Sequence, residues 1–235
     1  MNRLFHWIGA LPLIGPLGRR ALRAWRGPAD RQSFAGSAEY WEQRYAEGGH
    51  SGAGSYGKFS RSKARVLNGL FSEAHIRSVI EFGCGDGNQL RLLEVADYTG
   101  VDVSAKAIER CRTSFAADPG KRFVFAADYA GDQADCALSL DVIYHLVEDT
   151  VFDAYMRQLF AAGRRMVVIY SSNVDTAADP DGAHVRHREF SHWVDAHAPQ
   201  WTLAQKIDNE FPFNGDYKTS SFADFYVYVP RRATA

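Results

Sequence analysis

The sequence predicts a single α/β domain on a mostly parallel sheet of seven strands, with helices on both faces and an antiparallel strand pair at the C-terminal end. Three observations lead there. From Arg77 onward, short apolar runs alternate with stretches of helical periodicity, the pattern of repeated βα units. The first of these runs ends in a glycine turn, Gly83-Cys-Gly85-Asp-Gly87. The last two β-rich runs are separated by Pro212, Asn214 and Gly215, which suits an antiparallel connection. A length of 235 residues fits one such domain with additions.

Taken in order, residues 1–36 read as an arm and linker, and residues 37–235 as the domain. Residues 1–26 combine Leu, Ile, Phe and Trp with five arginines and no acid; they carry +5, and the whole-chain charge of −1 leaves −6 on the rest. The apolar stretch 4–17 is broken by Pro12 and Pro16 and is followed by arginines, the reverse of a secretory signal, so the segment reads as retained. Its chemistry suits either peripheral contact with an anionic membrane surface or an arm packed on the domain or on a second copy in a homodimer. Ser37 reads as the N-cap of a short helix over 37–46 carrying Tyr40, Trp41, Arg44 and Tyr45. Residues 48–57 hold five glycines, which favours a backbone that moves or approaches a ligand closely. Ala64, Val66, Leu67, Leu70 and Phe71 recur at helical spacing and predict a helix over 60–73.

The sheet region then reads as strand 78–82, helix 88–95, strand 98–102 and helix 105–116. Strands 123–127, 136–140 and 165–170 follow, with a helix over 150–160 between the last two. Residues 202–211 and 222–229 close the sheet.

An apolar share of 46% and a charged share of 23% exclude disorder, collagen and coiled coil. With 27 basic against 28 acidic residues the net charge gives no electrostatic argument for nucleic acid as partner. Cys84, Cys111 and Cys136 are far apart and lack C-x-x-C spacing, so neither a disulfide framework nor a cysteine zinc site is expected, and a reducing cytoplasm fits. No apolar run is long enough to span a bilayer.

The chemistry sits in the turn Glu81-Phe-Gly83-Cys-Gly85-Asp-Gly87. Glycines permit a tight strand-to-helix turn and let backbone N–H groups face a ligand. The spacing differs from the G-x-G-x-x-G of dinucleotide sites and points away from a nicotinamide cofactor. These residues, with Gly100-Val-Asp102-Val103, Asp128-Tyr129 and Ser139-Leu-Asp141-Val-Ile-Tyr-His145, resemble the class I S-adenosylmethionine-dependent methyltransferases, whose first motif is E/D-x-G-x-G-x-G. The likeness is close over residues 77–172 and looser over 37–230. It implies a Rossmann-like fold that binds S-adenosylmethionine and releases S-adenosylhomocysteine. It further implies that Glu81, Gly83, Cys84, Gly85 and Gly87 form the cofactor turn. Asp102, with Val103, would accept hydrogen bonds from the ribose hydroxyls, and Asp128-Tyr129 would meet the adenine. Tyr40, Trp41 and Arg44 would cover the methionine portion, the plain alternative being an exposed helix whose aromatics touch the core.

For transfer to an alcohol, His145 is the first candidate base, with Asp141 orienting it or contacting the cofactor amine; the alternative for His145 is a helix cap. His184 and His187 offer a second base or cationic contacts for an acceptor. His192 and His197 read as solvated, Trp193 as core, and no metal is expected because no acids or cysteines stand at ligand spacing. The chain has no large substrate insertion and no Asn/Asp-Pro-Pro-Tyr/Phe after the fourth strand. The arrangement is similar to compact bacterial methyltransferases of sugars and surface polysaccharides, which implies O-methylation of a sugar hydroxyl or terminal group on a glycan or lipid-linked saccharide. A small natural product, an amine or a phosphorylated metabolite is the alternative acceptor, and a non-catalytic cofactor-binding scaffold the alternative class. The expected location is the cytoplasm, against the inner face of the membrane if the arm binds it.

Overall fold

The seven strands lie in the order β3-β2-β1-β4-β5-β7-β6. They are β1 (Ser78–Phe82), β2 (Asp97–Asp102), β3 (Lys121–Phe125), β4 (Ala134–Leu140), β5 (Gly163–Ser171), β6 (Trp201–Ile207) and β7 (Asp224–Pro230). β1 through β5 pair in parallel, and β7 runs antiparallel between β5 and β6. This computed structural model describes residues 34, 36–175 and 184–231, so the arm and most of the linker expected at 1–36 lie outside the described residues.

Alternation along the central strands splits the core in two. Val79 on β1 packs with Leu138, Val168 and Phe225 against helices α2 (Gly57–Glu73) and α3 (Ala105–Ser114). Ile80 and Phe82 point to the other face, with Val167 and Ile169, against α4 (Asp149–Ala162) and α5 (Phe190–His197). Leu67 of α2 and Ile169 of β5 are wholly buried, each contributing about 1.5–3 kcal/mol of apolar transfer. Helix α1 (Ser37–Ala46) lies ahead of these in the chain. Helix α3 is capped by Ser104, whose hydroxyl accepts from the Ala107 N–H (3.0 Å), satisfying a donor the first turn leaves open.

The expected helix over 88–95 is absent; only a 3₁₀ turn, Leu90–Leu92, forms. Side chains take the bonds a helix would have made. Asn68 of α2 donates to the Leu92 carbonyl (3.0 Å) and accepts from the Glu94 N–H (2.9 Å), while Asn88 and Gln89 donate to the carbonyls of Ser55 and Ser60. β6 also stops at Ile207 rather than reaching 211, because Asn209 turns the chain by bonding Asp224 and the Ser221 carbonyl. Ser37 is not the N-cap of α1; Gly36 holds that position. Ser37 instead ties α1 to the segment after β4. Its N–H donates to Glu148 (2.9 Å), and its hydroxyl accepts from the Val147 N–H and donates to Glu148 or to the His145 carbonyl.

The chain leaves β1 toward β2 and β3, then returns to β4 on the opposite side of β1. That reversal opens a crevice beyond the C-terminal ends of β1 and β4, where ligands of open parallel sheets bind. Among the described residues no helix is long and apolar enough to cross a membrane.

Candidate active site

The crevice holds two adjoining cavities. The first, about 380 Å³, is bounded by Phe82, Gly83 and Gly85 after β1, by Asp102 and Val103 after β2, and by Leu140, Asp141 and Val142 after β4. Gly83 and Gly85 have φ of +80° and +58°, a region costly for any residue with a Cβ. At Gly85 a Cβ would also lie 2.2 Å from Ser51 Oγ and 2.7 Å from the Tyr45 hydroxyl. The glycine-rich segment expected to move or to approach a ligand therefore packs down on the turn itself. Ser51 and Asp86 exchange two bonds, the Ser51 N–H to Asp86 Oδ2 (3.0 Å) and the Asp86 N–H to Ser51 Oγ (2.9 Å), and the Tyr56 hydroxyl donates to the same carboxylate (2.6 Å).

Asp102 ends β2 with its carboxylate buried. Oδ2 accepts from the Gly85 N–H (2.8 Å) and Oδ1 from the Ser104 N–H (2.9 Å). Burial outweighs those two bonds and pushes its pKa up to about 6, with Glu42 and Asp86 adding to the rise.

The second cavity, about 430 Å³, is walled by aromatic side chains from five parts of the chain: Tyr40 and Trp41 of α1, Phe59 of α2, Tyr144 after β4, Tyr170 of β5, and Tyr217 and Phe222 between β6 and β7. Trp41, Ser51, Asp141 and His145 line both cavities and mark the seam. Asp141 has φ +59°, an unusual conformation for a residue with a side chain. It is held there from three sides. Its N–H donates to the Tyr170 carbonyl (2.9 Å), Lys63 Nζ lies 2.6 Å from Oδ2, and the Tyr144 hydroxyl donates to Oδ1 (3.0 Å). Both carboxylate oxygens are thus engaged.

His145 packs edge-on to Trp41 (5.0 Å between ring centroids) and parallel to His184 (5.7 Å). Its Nδ1 is 3.1 Å from the His184 carbonyl oxygen, which can only accept, so Nδ1 carries the proton and Nε2 carries the lone pair. Burial, partly offset by that carbonyl, pushes the His145 pKa down to about 4. The ring is neutral at physiological pH, with its tautomer fixed.

The other expected site residues fall in different places. His184 lines the second cavity, stacked on Tyr40 (4.5 Å), and Arg44 lines it with Nε donating to the His50 carbonyl (2.9 Å). His187 stands behind Phe222 and pairs through Nδ1 with the Ser172 hydroxyl (2.7 Å). Glu81 and Cys84 point into the α2/α3 side of the core: the Tyr98 hydroxyl donates to Glu81 (2.5 Å), and Cys84 is buried beside Gly100. Gly87 faces Cys111 and Phe115 of the α3 region. Asp128 is exposed at the end of a 3₁₀ turn, and Tyr129 packs on Phe82 while its hydroxyl donates to the Asp132 carbonyl. Trp193 packs partly buried on the α4/α5 side, as expected of a core residue. Asp175, Glu189 and His192 are grouped closely enough to hold a cation among the described residues, though at the surface and away from both cavities.

Lys63, Tyr144 and the Tyr217/Phe222 wall escaped the sequence reading. Lys63 had a signal: it shares the helical stripe of Ser60, Ala64, Leu67 and Phe71, all buried, where a solvated lysine does not belong.

A family model described as a methyltransferase domain matches residues 40–208. Solved structures agree in fold. The N-methyltransferase NodS from Bradyrhizobium japonicum WM9, in complex with S-adenosyl-l-homocysteine, is 15% identical with a TM-score of 0.65, covering 84% of this chain and 100% of that one. The methyltransferase domain of bacterial CtHen1 is 21% identical with a TM-score of 0.56, covering 72% and 97%. Magnesium protoporphyrin IX methyltransferase (ChlM) from Synechocystis PCC 6803 with bound SAH is 17% identical with a TM-score of 0.54, covering 73% and 83%. No curated protein matches the sequence. The glycine turn on a parallel sheet, the acid at the end of β2 and the family match over residues 40–208 agree: the chain belongs to the class I S-adenosylmethionine-dependent methyltransferases.

Proposed function

We propose that this methyltransferase transfers the methyl group to a hydroxyl of a sugar or terminal glycan unit held in the aromatic cavity, with His145 taking the hydroxyl proton. The observation that carries this reading is His145 at the seam of the two cavities, neutral and with Nε2 as a proton acceptor. S-adenosylmethionine, when bound, supplies a methyl group on positively charged sulfur.

The first cavity fits that cofactor by its chemistry. Each Asp102 oxygen is bonded to one backbone N–H and keeps a lone pair for a hydroxyl, and Leu140, Val142, Leu146 and Tyr155 provide an apolar slot. Trp41 and Tyr45 add aromatic surface to its wall, and an apolar wall of this kind favours an in-line displacement kept from water. An alcohol is too weak an acid to ionise beforehand. Its proton would become labile as the oxygen takes the methyl carbon from sulfur, which keeps the electron pair of the broken C–S bond, and a neutral imidazole placed there would accept it.

A pyranose suits the second cavity because its C–H faces stack on aromatic rings while the Ser221 hydroxyl, which accepts from Tyr170 and from the Ala223 N–H, keeps its proton to donate. The basic apolar arm at 1–26 suits a lipid-linked form of such an acceptor, presented at an anionic membrane surface.

The test offers the full chain S-adenosylmethionine with a panel of methyl glycosides, lipid-linked saccharides and amines, and reads S-adenosylhomocysteine together with a product heavier by one CH₂. Turnover confined to amines refutes the hydroxyl reading. His145→Ala is expected to keep S-adenosylhomocysteine affinity and lose about 10²–10⁴ in turnover; unchanged turnover moves the base elsewhere.

A further inference from the structure

Among the described residues the second cavity has one carboxylate in its lining, Asp141, and that carboxylate is already neutralised from behind. Lys63 reaches it from α2 with Nζ at 2.6 Å and a side chain only 2% exposed, its ammonium facing the Tyr170 ring at 5.3 Å. A buried ammonium on a mostly apolar helix stripe is costly to desolvate, and a well-packed apolar residue there is often no less stabilising. The position therefore calls for a use other than stability. Gly54 covers the pair so closely that a Cβ there would lie 2.7 Å from Asp141 Oδ2 and 3.8 Å from Lys63 Nζ. Arg44, the cation among the described residues of the lining, adds charge of the same sign as Lys63. Glu81, another acid that feels the Lys63 charge, is bonded to Tyr98 and stands outside the cavity.

We propose that Lys63 is a specificity-determining residue: by neutralising Asp141 it excludes ammonium-bearing acceptors from the cavity and leaves it open to uncharged or anionic ones. The inference rests on the second cavity being the acceptor site. An unpaired Asp141 would make the same aromatic chamber a cation site, since aromatic faces and a carboxylate both attract an ammonium. With Lys63 in place, an entering ammonium meets aromatic faces and an ion pair already satisfied, and it gives up its hydration for little return.

The experiment measures binding, by calorimetry near pH 8, of three probes of similar size that differ in charge: 2-phenylethanol, 2-phenylethylammonium and phenylacetate. The protein is the full chain saturated with S-adenosylhomocysteine, as wild type, Lys63→Met, Lys63→Arg and Asp141→Asn. Wild type is expected to bind the alcohol at least about tenfold tighter than the ammonium. Lys63→Met shifts the ratio about tenfold or more toward the ammonium, and Asp141→Asn, which leaves Lys63 unpaired, shifts it similarly toward the carboxylate. Lys63→Arg keeps the wild-type order. Ratios unchanged in both Lys63→Met and Asp141→Asn, a wild-type preference for the ammonium, or no binding of any probe to the loaded wild type overturns the proposal. Failure of the wild type to bind S-adenosylhomocysteine overturns the functional reading instead, so the two failures are distinct.

Discussion

Replacing Glu81 by Gln tests whether the acid of the glycine turn acts as a buried structural group rather than a cofactor ligand. Burial pushes its pKa from 4.5 up to about 7; the Tyr98 hydroxyl and the Lys63 charge pull the other way, and Asp102 and Asp141 add to the rise. The folded protein therefore binds this proton more tightly than the unfolded chain. The associated stability is complete below about pH 4.5 and is lost as pH rises through about 7, a loss of about 3 kcal/mol in all. Gln cannot ionise, yet its carbonyl can still accept from Tyr98, so the variant lacks this slope. Between about pH 5.5 and about pH 8 the stability of Glu81→Gln relative to wild type should rise by about 2 kcal/mol. Urea unfolding of both proteins at the two pH values reads this directly, and the difference cancels most of the contribution of Asp102, which titrates in both. A relative stability that stays flat within about 0.5 kcal/mol, or moves the other way, refutes the reasoning. S-adenosylhomocysteine affinity should change by less than about threefold, because the carboxyl lies outside both cavities. A loss of tenfold or more would put Glu81 back at the cofactor.

Asp102 has its pKa raised to about 6, and an ionised carboxylate accepts ribose hydroxyls better than a neutral one. S-adenosylhomocysteine affinity is therefore expected to weaken as pH falls through about 6, and Asp102→Asn to bind about tenfold or more weaker with no such pH limb; calorimetry at three pH values decides, and an equal slope in the variant counts against it. Gly85→Ala places a Cβ 2.2 Å from Ser51 Oγ on a backbone at φ +58°. The backbone strain alone is about 1–2 kcal/mol, so the melting temperature should fall by several degrees and cofactor affinity with it, while an unchanged melting curve would show that the loop over the turn is loose. Deleting residues 1–26 should abolish flotation with anionic liposomes and leave S-adenosylhomocysteine affinity intact; a full chain that never floats disposes of the membrane reading.

The elements legible in the sequence were those whose cause is local. Gly83, Gly85 and Gly87 all have positive φ, a demand written into each position by the absence of a Cβ. Central strands buried on both faces read as mostly apolar runs, Glu81 of β1 and Ser139 of β4 aside, so they too announce themselves. The helix expected after the glycine turn failed because Asn68, on the preceding helix, takes over the backbone bonds of Leu92 and Glu94; no pattern within 88–95 contains that competitor. The site divides along the same line. Asp102, Asp141 and His145 were named from the motifs that resemble a methyltransferase, and the fold carries all three to one edge of the sheet. The partners that set their chemistry come from afar. Lys63 meets Asp141 across 78 residues, and the carbonyl that fixes the His145 tautomer is 39 residues away. Each of those partners has an unremarkable sequence context, and its effect exists only once the fold has closed. The charge state of the second cavity is accordingly a tertiary property: the sequence displays an acid after the fourth strand, and only the packing of α2 beneath the sheet edge cancels it.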